Sequence, residues 1–201
     1  MAPTVIGTDG EAVTMTSTEH QDTTATTGVG APLDRERADL LESLGRHRFF
    51  LRYTVQGLTD EQARLRPTVS ELSLGGIVKH VAATEAAWAE FMVRGAAAFP
   101  TQDWTDPQMA ETWATEHELL PTETLAGVLE EYVAVAARTD ELVRTLPSLD
   151  VDHLLPEAPW FTPGARQSAR RTLLHVIAET AQHSGHADVL RETLDGQKTM
   201  G

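Results

Sequence analysis

Apolar side chains recur at helical spacing in four long stretches, and no stretch keeps the strict alternation of a strand. In the first, Leu33 to Leu58, the residues Leu40, Leu44, Leu51, Val55 and Leu58 share one side, while Arg35, Glu36, Arg37, Asp39 and Glu42 lie mostly on the other. Thr59-Asp60-Glu61 then caps a short helical turn that ends near Pro67. The second long helix begins after Ser73, a good N-cap, and stops at Gly95, with Ile77, Val81, Trp88 and Phe91 on its buried side. Gly75 and Gly76 cost helix propensity, which predicts that another backbone packs closely there. The third helix spans Thr122 to Leu146, turning Leu125, Leu129, Tyr132, Val135, Thr139, Leu142 and Leu146 inward before Pro147 ends it. The fourth covers Thr172 to Asp195, with Leu173, Leu174, Ile177, Ala181 and Leu190 at helical spacing and Gly196 as its stop.

These elements predict an all-α four-helix bundle. About 26 residues separate the second and third helices, an uncommon length for a compact domain. At ~1.5 Å per helical residue that segment is long enough to carry the chain back to its starting end. The third helix then runs parallel to the second, an up-down-down-up topology with a long crossover. A short helix is expected within the crossover at Pro107 to His117. A second long connection, 147 to about 168, carries Trp160-Phe161 before Pro163-Gly164; it is either satellite packing over the core or a lid. Residues 1–32 are rich in Thr and Gly, lack aromatics and show no periodicity, so they read as a disordered tail. The expected organisation is tail 1–32, bundle 33–196 and C-terminal tail 197–201.

Composition removes several kinds of chemistry. With no cysteine, the chain forms no disulfide, thiolate metal site or cysteine nucleophile, and any sulfur chemistry needs a bound small thiol. A net charge of −14 without a basic block argues against nucleic acid as a partner. No run approaches the ~18 apolar residues of a membrane span, and the N-terminus lacks a signal-peptide core. A cytoplasmic protein with a small-molecule substrate is expected, with a homodimer left open.

The fourth helix carries His175, Glu179, His183 and His186 on a stripe beside its apolar one, at steps of four, four and three. Side chains at i and i+4 stack, so Glu179 and His183 reach the same point in space. A solvated helix face also carries His and Glu with no partner; a site needs a third ligand from an otherwise apolar face. His80, on a stripe with Thr84, Ala87 and Phe91 of the second helix, supplies one. The candidate metal ligands are therefore His80, Glu179 and His183, with His175 or His186 as substitutes for Glu179. His47, Trp88 and Trp160 are candidate pocket-lining residues; the alternative for His47 is a hydrogen-bonded core residue. Asp188 and Arg191 are spaced for an intrahelical pair, with orientation of a ligand histidine as the other reading.

His80 together with Glu179-x-x-x-His183 resembles the ligand pattern of the DinB-like metal-binding four-helix bundles, one histidine from the second helix and a pair four apart from the fourth. The surrounding text, SLGGIVKHVAATEAAW and LLHVIAETAQHSGHADVLRE, is similar to an actinobacterial branch of that superfamily. The Glu-for-His variant looks like that of the mycothiol-dependent S-transferases and maleylpyruvate isomerase; the high Arg to Lys ratio, 14 to 2, suits a high-GC bacterial source. No counterpart of the extra C-terminal domain of maleylpyruvate isomerases is expected, so their substrate is not carried over. The resemblance implies a divalent metal, zinc first and then nickel or iron, and mycothiol as co-substrate for S-transfer to an electrophile. The alternatives are a thiol-independent metal-assisted hydrolase or isomerase of a secondary metabolite, and a non-catalytic metal-binding stress protein.

Overall fold

A computed structural model describes residues 33–99 and 115–199. The expectations for 1–32, for the tail beyond 199 and for most of the crossover, Trp104 and Pro107 included, lie outside the described residues. Five α-helices are described: α1 (Arg35–Thr54), the short α2 (Asp60–Arg64), α3 (Leu74–Arg94), α4 (Leu125–Thr145) and α5 (Ala169–Asp195). Each of the four long helices opens on a side-chain cap. The side chains of Asp34, Ser73, Thr124 and Ser168 accept from the backbone N–H three residues on, satisfying one orphan donor apiece. Thr59 and Gln62 form a reciprocal capping box on α2. A 3-10 turn, Gly95–Ala98, follows α3, and Gly95 there has φ of 60° with the His153 side chain against it.

Partners across the seams fix the helix directions. Glu36, His47 and Thr54 meet Arg170, Ser184 and Arg191 in turn, so α1 and α5 run parallel. Lys79 and Glu90 meet Glu123 and Arg138, so α3 and α4 also run parallel. His80 faces His183 while Trp88 faces His175, which makes α3 and α5 antiparallel. The bundle is up-down-down-up. Within it α3 packs against α4 and α5, and α1 packs chiefly against α5, which leaves α1 and α3 on one diagonal.

The core comes in two apolar clusters. One gathers Leu51, Val55, Ile77, Val81, Leu125, Tyr132, Ala187 and Leu190; the other Leu40, Leu44, Trp88, Phe91, Val143, Leu173 and Val176. Positions lying between them on each helix are polar and buried: Arg48, Glu85, Thr139, Thr180 and Ser184. Arg48, 4% exposed, crosses the diagonal to fork onto Glu85, 0% exposed, at 3.1 and 2.5 Å and reaches Asp140 at 2.7 Å. Thr180 and Ser184 return their hydroxyls to carbonyls one turn back, at 2.8 and 2.7 Å, and so sit inside without an unpaired donor.

That back-bonding changes the buried face of the fourth helix. Its inner stripe is Ala169, Leu173, Val176, Thr180, Ser184, Ala187 and Leu190, and Leu174, expected inside, is 50% exposed. The third helix differs less: Val128 and Val143 are buried, whereas Leu129, Leu142 and Leu146 are half-buried. The connection 147–168 contains a two-stranded antiparallel hairpin, β1 (Asp152–Leu154) with β2 (Arg166–Ser168), that the sequence reading missed. Three-residue strands leave too little alternation to detect, and the pairing is held from outside the pattern by Arg166 on Asp152. Asp188 and Arg191 do not pair. Arg191 instead bonds Asp195 and donates to the carbonyls of Thr54 and Gln56, closing the C-terminus of α1, while Asp188 accepts from the Thr199 N–H. Arg37 serves the end of α4 likewise, on Val143 and Leu146. Each guanidinium thus serves carbonyls that a helix end leaves without an intrahelical partner while also holding a nearby carboxylate, Asp195 for Arg191 and Asp34 for Arg37.

Candidate metal centre

His80 on α3 and Glu179 and His183 on α5 face one another across the antiparallel seam, level with the polar layer of the core. One ligand atom from each lies within 4.8 Å of the others. His183 Nε2 is 3.6 Å from Glu179 Oε2, as i,i+4 stacking requires, and the His80 and His183 rings meet edge-on at 4.8 Å between centroids. All three are half-buried, including His80, for which full burial was expected. Helix pairing explains this: His80 sits at the rim of the α3 stripe formed by Ile77, Val81 and Trp88.

The electrostatics favour neutral imidazoles. Burial pushes the His80 imidazole down from 6.5 to about 4, with His117 and His183 acting in the same direction. Burial also lowers His183 and His175, against the opposing pull of Glu179. Neutral imidazole is the metal-binding form. His183 Nδ1 is buried without a hydrogen-bond partner among the described residues. Leaving such an atom unpaired is costly. Two neutral imidazoles and a carboxylate within a few ångströms therefore fit a divalent ion, with one net positive charge remaining.

Around this group the sequence candidates take different places. His175 Nε2 is 3.9 Å from Glu179 Oε1, so it neighbours the carboxylate from the turn before. His186 is exposed, its ring 5.4 Å from that of His183, and neither histidine joins the three converging ligands. Trp88 is buried edge-on against His175 at 4.9 Å, in an aromatic cluster with Phe91, Phe99 and Phe161. Trp160 lies on the 147–168 connection beside Phe161 and is 56% exposed. His47 is half-buried and gives its backbone carbonyl to Ser184, the residue after His183.

Sequence reasoning passed over His117, whose ring stacks on His80 at 4.1 Å. It lies on the returning end of the crossover, so no spacing rule connects it to the site. The signal was indirect. A Cβ on Gly76 would collide with the His117 carbonyl, and one on Gly75 would come within 2.8 Å of Leu119 Cδ2, so the glycine pair marks where this segment docks.

A four-helix bundle holding two imidazoles and a carboxylate on one interhelical seam defines the class: a DinB-like bundle with a candidate metal centre. The chain belongs to the mycothiol-S-transferase family, whose model matches residues 39–196. A conserved protein from Enterococcus faecalis, known by its crystal structure, shares the fold, with a TM-score of 0.59 over 83% of this chain and 100% of its own at 16% identity. Comparison with curated proteins finds no match. No helix among the described residues is long and apolar enough to cross a membrane.

Proposed function

We propose that this protein is a metal-dependent S-transferase that activates a small thiol, mycothiol, for transfer to an electrophile. The observation that carries the reading is the convergence of His80, Glu179 and His183 in a member of this family. A divalent ion, zinc in this proposal, supplies Lewis acidity: a free thiol with pKa near ~8.5 is mostly protonated at neutral pH, whereas a coordinated one is deprotonated.

The chain's own residues set the conditions for that chemistry. His80 and His183 stay neutral because they are half-buried, and Glu179 contributes the single negative charge, so the site keeps a positive balance for a thiolate. Stacking along α5 fixes Glu179 relative to His183, and α3 brings His80 from across the seam. Trp88, clustered with Phe99 and Phe161, packs against His175, which in turn neighbours Glu179. A chain without cysteine cannot supply the thiol, and an external one completes the chemistry.

The test is consumption of an alkylating electrophile by zinc-loaded protein with mycothiol, glutathione, cysteine or no thiol. Saturable, chelator-sensitive turnover with mycothiol is the expected result. Equal turnover without thiol would instead favour metal-assisted hydrolysis, and stoichiometric metal with no turnover would favour a binding protein.

A further inference from the structure

The returning end of the crossover is fastened to the first two turns of α3 by several independent contacts. Lys79 Nζ donates to the carbonyls of Thr115 and Glu118 at 3.2 Å each and pairs with the Glu123 carboxylate at 2.8 Å. Glu123 in turn accepts from the Leu120 N–H at 2.8 Å, closing the segment on itself. Leu119 is buried in the core and passes over Gly75, while the His117 carbonyl occupies the space that a side chain at Gly76 would need. Arg64, on α2, holds the same segment by the carbonyls of Leu120 and Glu123. The result of this fastening is one ring on another: His117 lies nearly flat on His80, with 23° between the planes.

His80 needs such a support. A ligating histidine is normally oriented by a hydrogen bond from its second nitrogen. The hydrogen bond found for His80 is to Thr84 Oγ1 at 3.5 Å, the outer limit for such a bond. Glu179 and His183 are aligned by their shared helix, but His80 comes alone from α3. One face of its ring is covered by His117.

We propose that His117 is a positioning residue: its ring, held by the Gly75, Gly76 and Lys79 anchor, fixes the His80 imidazole in the orientation that meets His183 and Glu179. The proposal rests on the metal-site reading above. It makes the crossover, which the fold needs only as a return path, a contributor to the site.

The test uses the full-length protein with His117→Ala, which removes the stacked ring, and His117→Phe, which keeps a flat ring without nitrogens. In metal-free protein with 13C-labelled histidine, the NOEs between the His80 and His183 rings are expected to weaken in His117→Ala, because the His80 ring turns, and to be kept in His117→Phe. Zinc affinity, measured by competition with a chromophoric chelator, is expected to fall by roughly tenfold or more in His117→Ala and to recover in His117→Phe. Thermal unfolding of the metal-free variants shows that both remain folded. Unchanged NOEs between the His80 and His183 rings in His117→Ala overturn the proposal whatever the metal does. Equal loss of affinity in both variants overturns it as well, since the imidazole nitrogens rather than the stack would then matter. Wild-type protein that binds no zinc would overturn the metal-site reading, and the metal-free spectrum would still decide the positioning role.

Discussion

A histidine half-buried at a helix seam has different charge preferences folded and unfolded, and His80 gives the clearest case. Burial lowers its pKa from 6.5 to about 4. Between those values the unfolded chain binds the proton and the folded one does not, so stability rises with pH across that interval. The metal-free protein is therefore expected to lose stability as pH falls from about 6.5 towards about 4, with no further loss from this group below. His183 and His175 are lowered in the same direction and add to the trend. Urea unfolding at several pH values checks this, and the slope should diminish in His80→Ala. Stability rising on acidification through this range would mean that the imidazoles gain a carboxylate partner strong enough to reverse burial.

At the level of elements, the glycine pair at the start of α3 shows how local cost and tertiary gain trade. Replacing Gly76 by Ala gains roughly 1 kcal/mol of helix propensity, but its Cβ would collide with the backbone carbonyl of His117. Backbone cannot rotate away as a side chain does, so overpacking of about 1–3 kcal/mol should win. Gly76→Ala is expected to lower the unfolding midpoint and to weaken zinc binding along with it. A stabilised variant with intact affinity would show that the segment is loosely docked. The four long helices, the Thr59 and Ser73 caps, the parallel placement of the second and third, and the glycine approach were legible in the sequence because each depends on local spacing or chain length. Three features were not legible. Leu174 was drawn inside on apolar spacing alone, whereas the inner stripe runs through Thr180 and Ser184, whose back-bonded hydroxyls are buried at little cost. The hairpin is too short to show a period, and its long connection suggested only a loop or a lid. His117 reaches the site through tertiary docking, which no periodicity records. The convergence of His80, Glu179 and His183 was legible because two of them share a helix face and the third interrupts an apolar stripe.

Across the whole molecule, the bundle is divided by a polar layer whose centre is the Arg48 and Glu85 pair. A buried ion pair contributes little net stability over a well-packed apolar pair, but removing one partner strands the other charge. Arg48→Met is expected to cost about 3–5 kcal/mol in urea unfolding, and the double variant Arg48→Met/Glu85→Met to recover most of it. Equal losses in the single and double variants would mean that Arg48 acts mainly through Asp140, its third bond. The layer lies level with the metal-site seam, and the pair ties α1 to α3 diagonally, so it holds in place the helix that presents His80. A net charge of −14 also sets the molecule against duplex DNA, and a salt-sensitive micromolar complex would contradict that expectation. The central claim is that His80, Glu179 and His183 together hold one divalent ion. It is tested most directly by elemental analysis of metal per chain in the wild type and in the double variant His80→Ala/His183→Ala, with helicity followed by circular dichroism. One ion per wild-type chain and none in a fully helical double variant is the expected result; full occupancy in the double variant would contradict it.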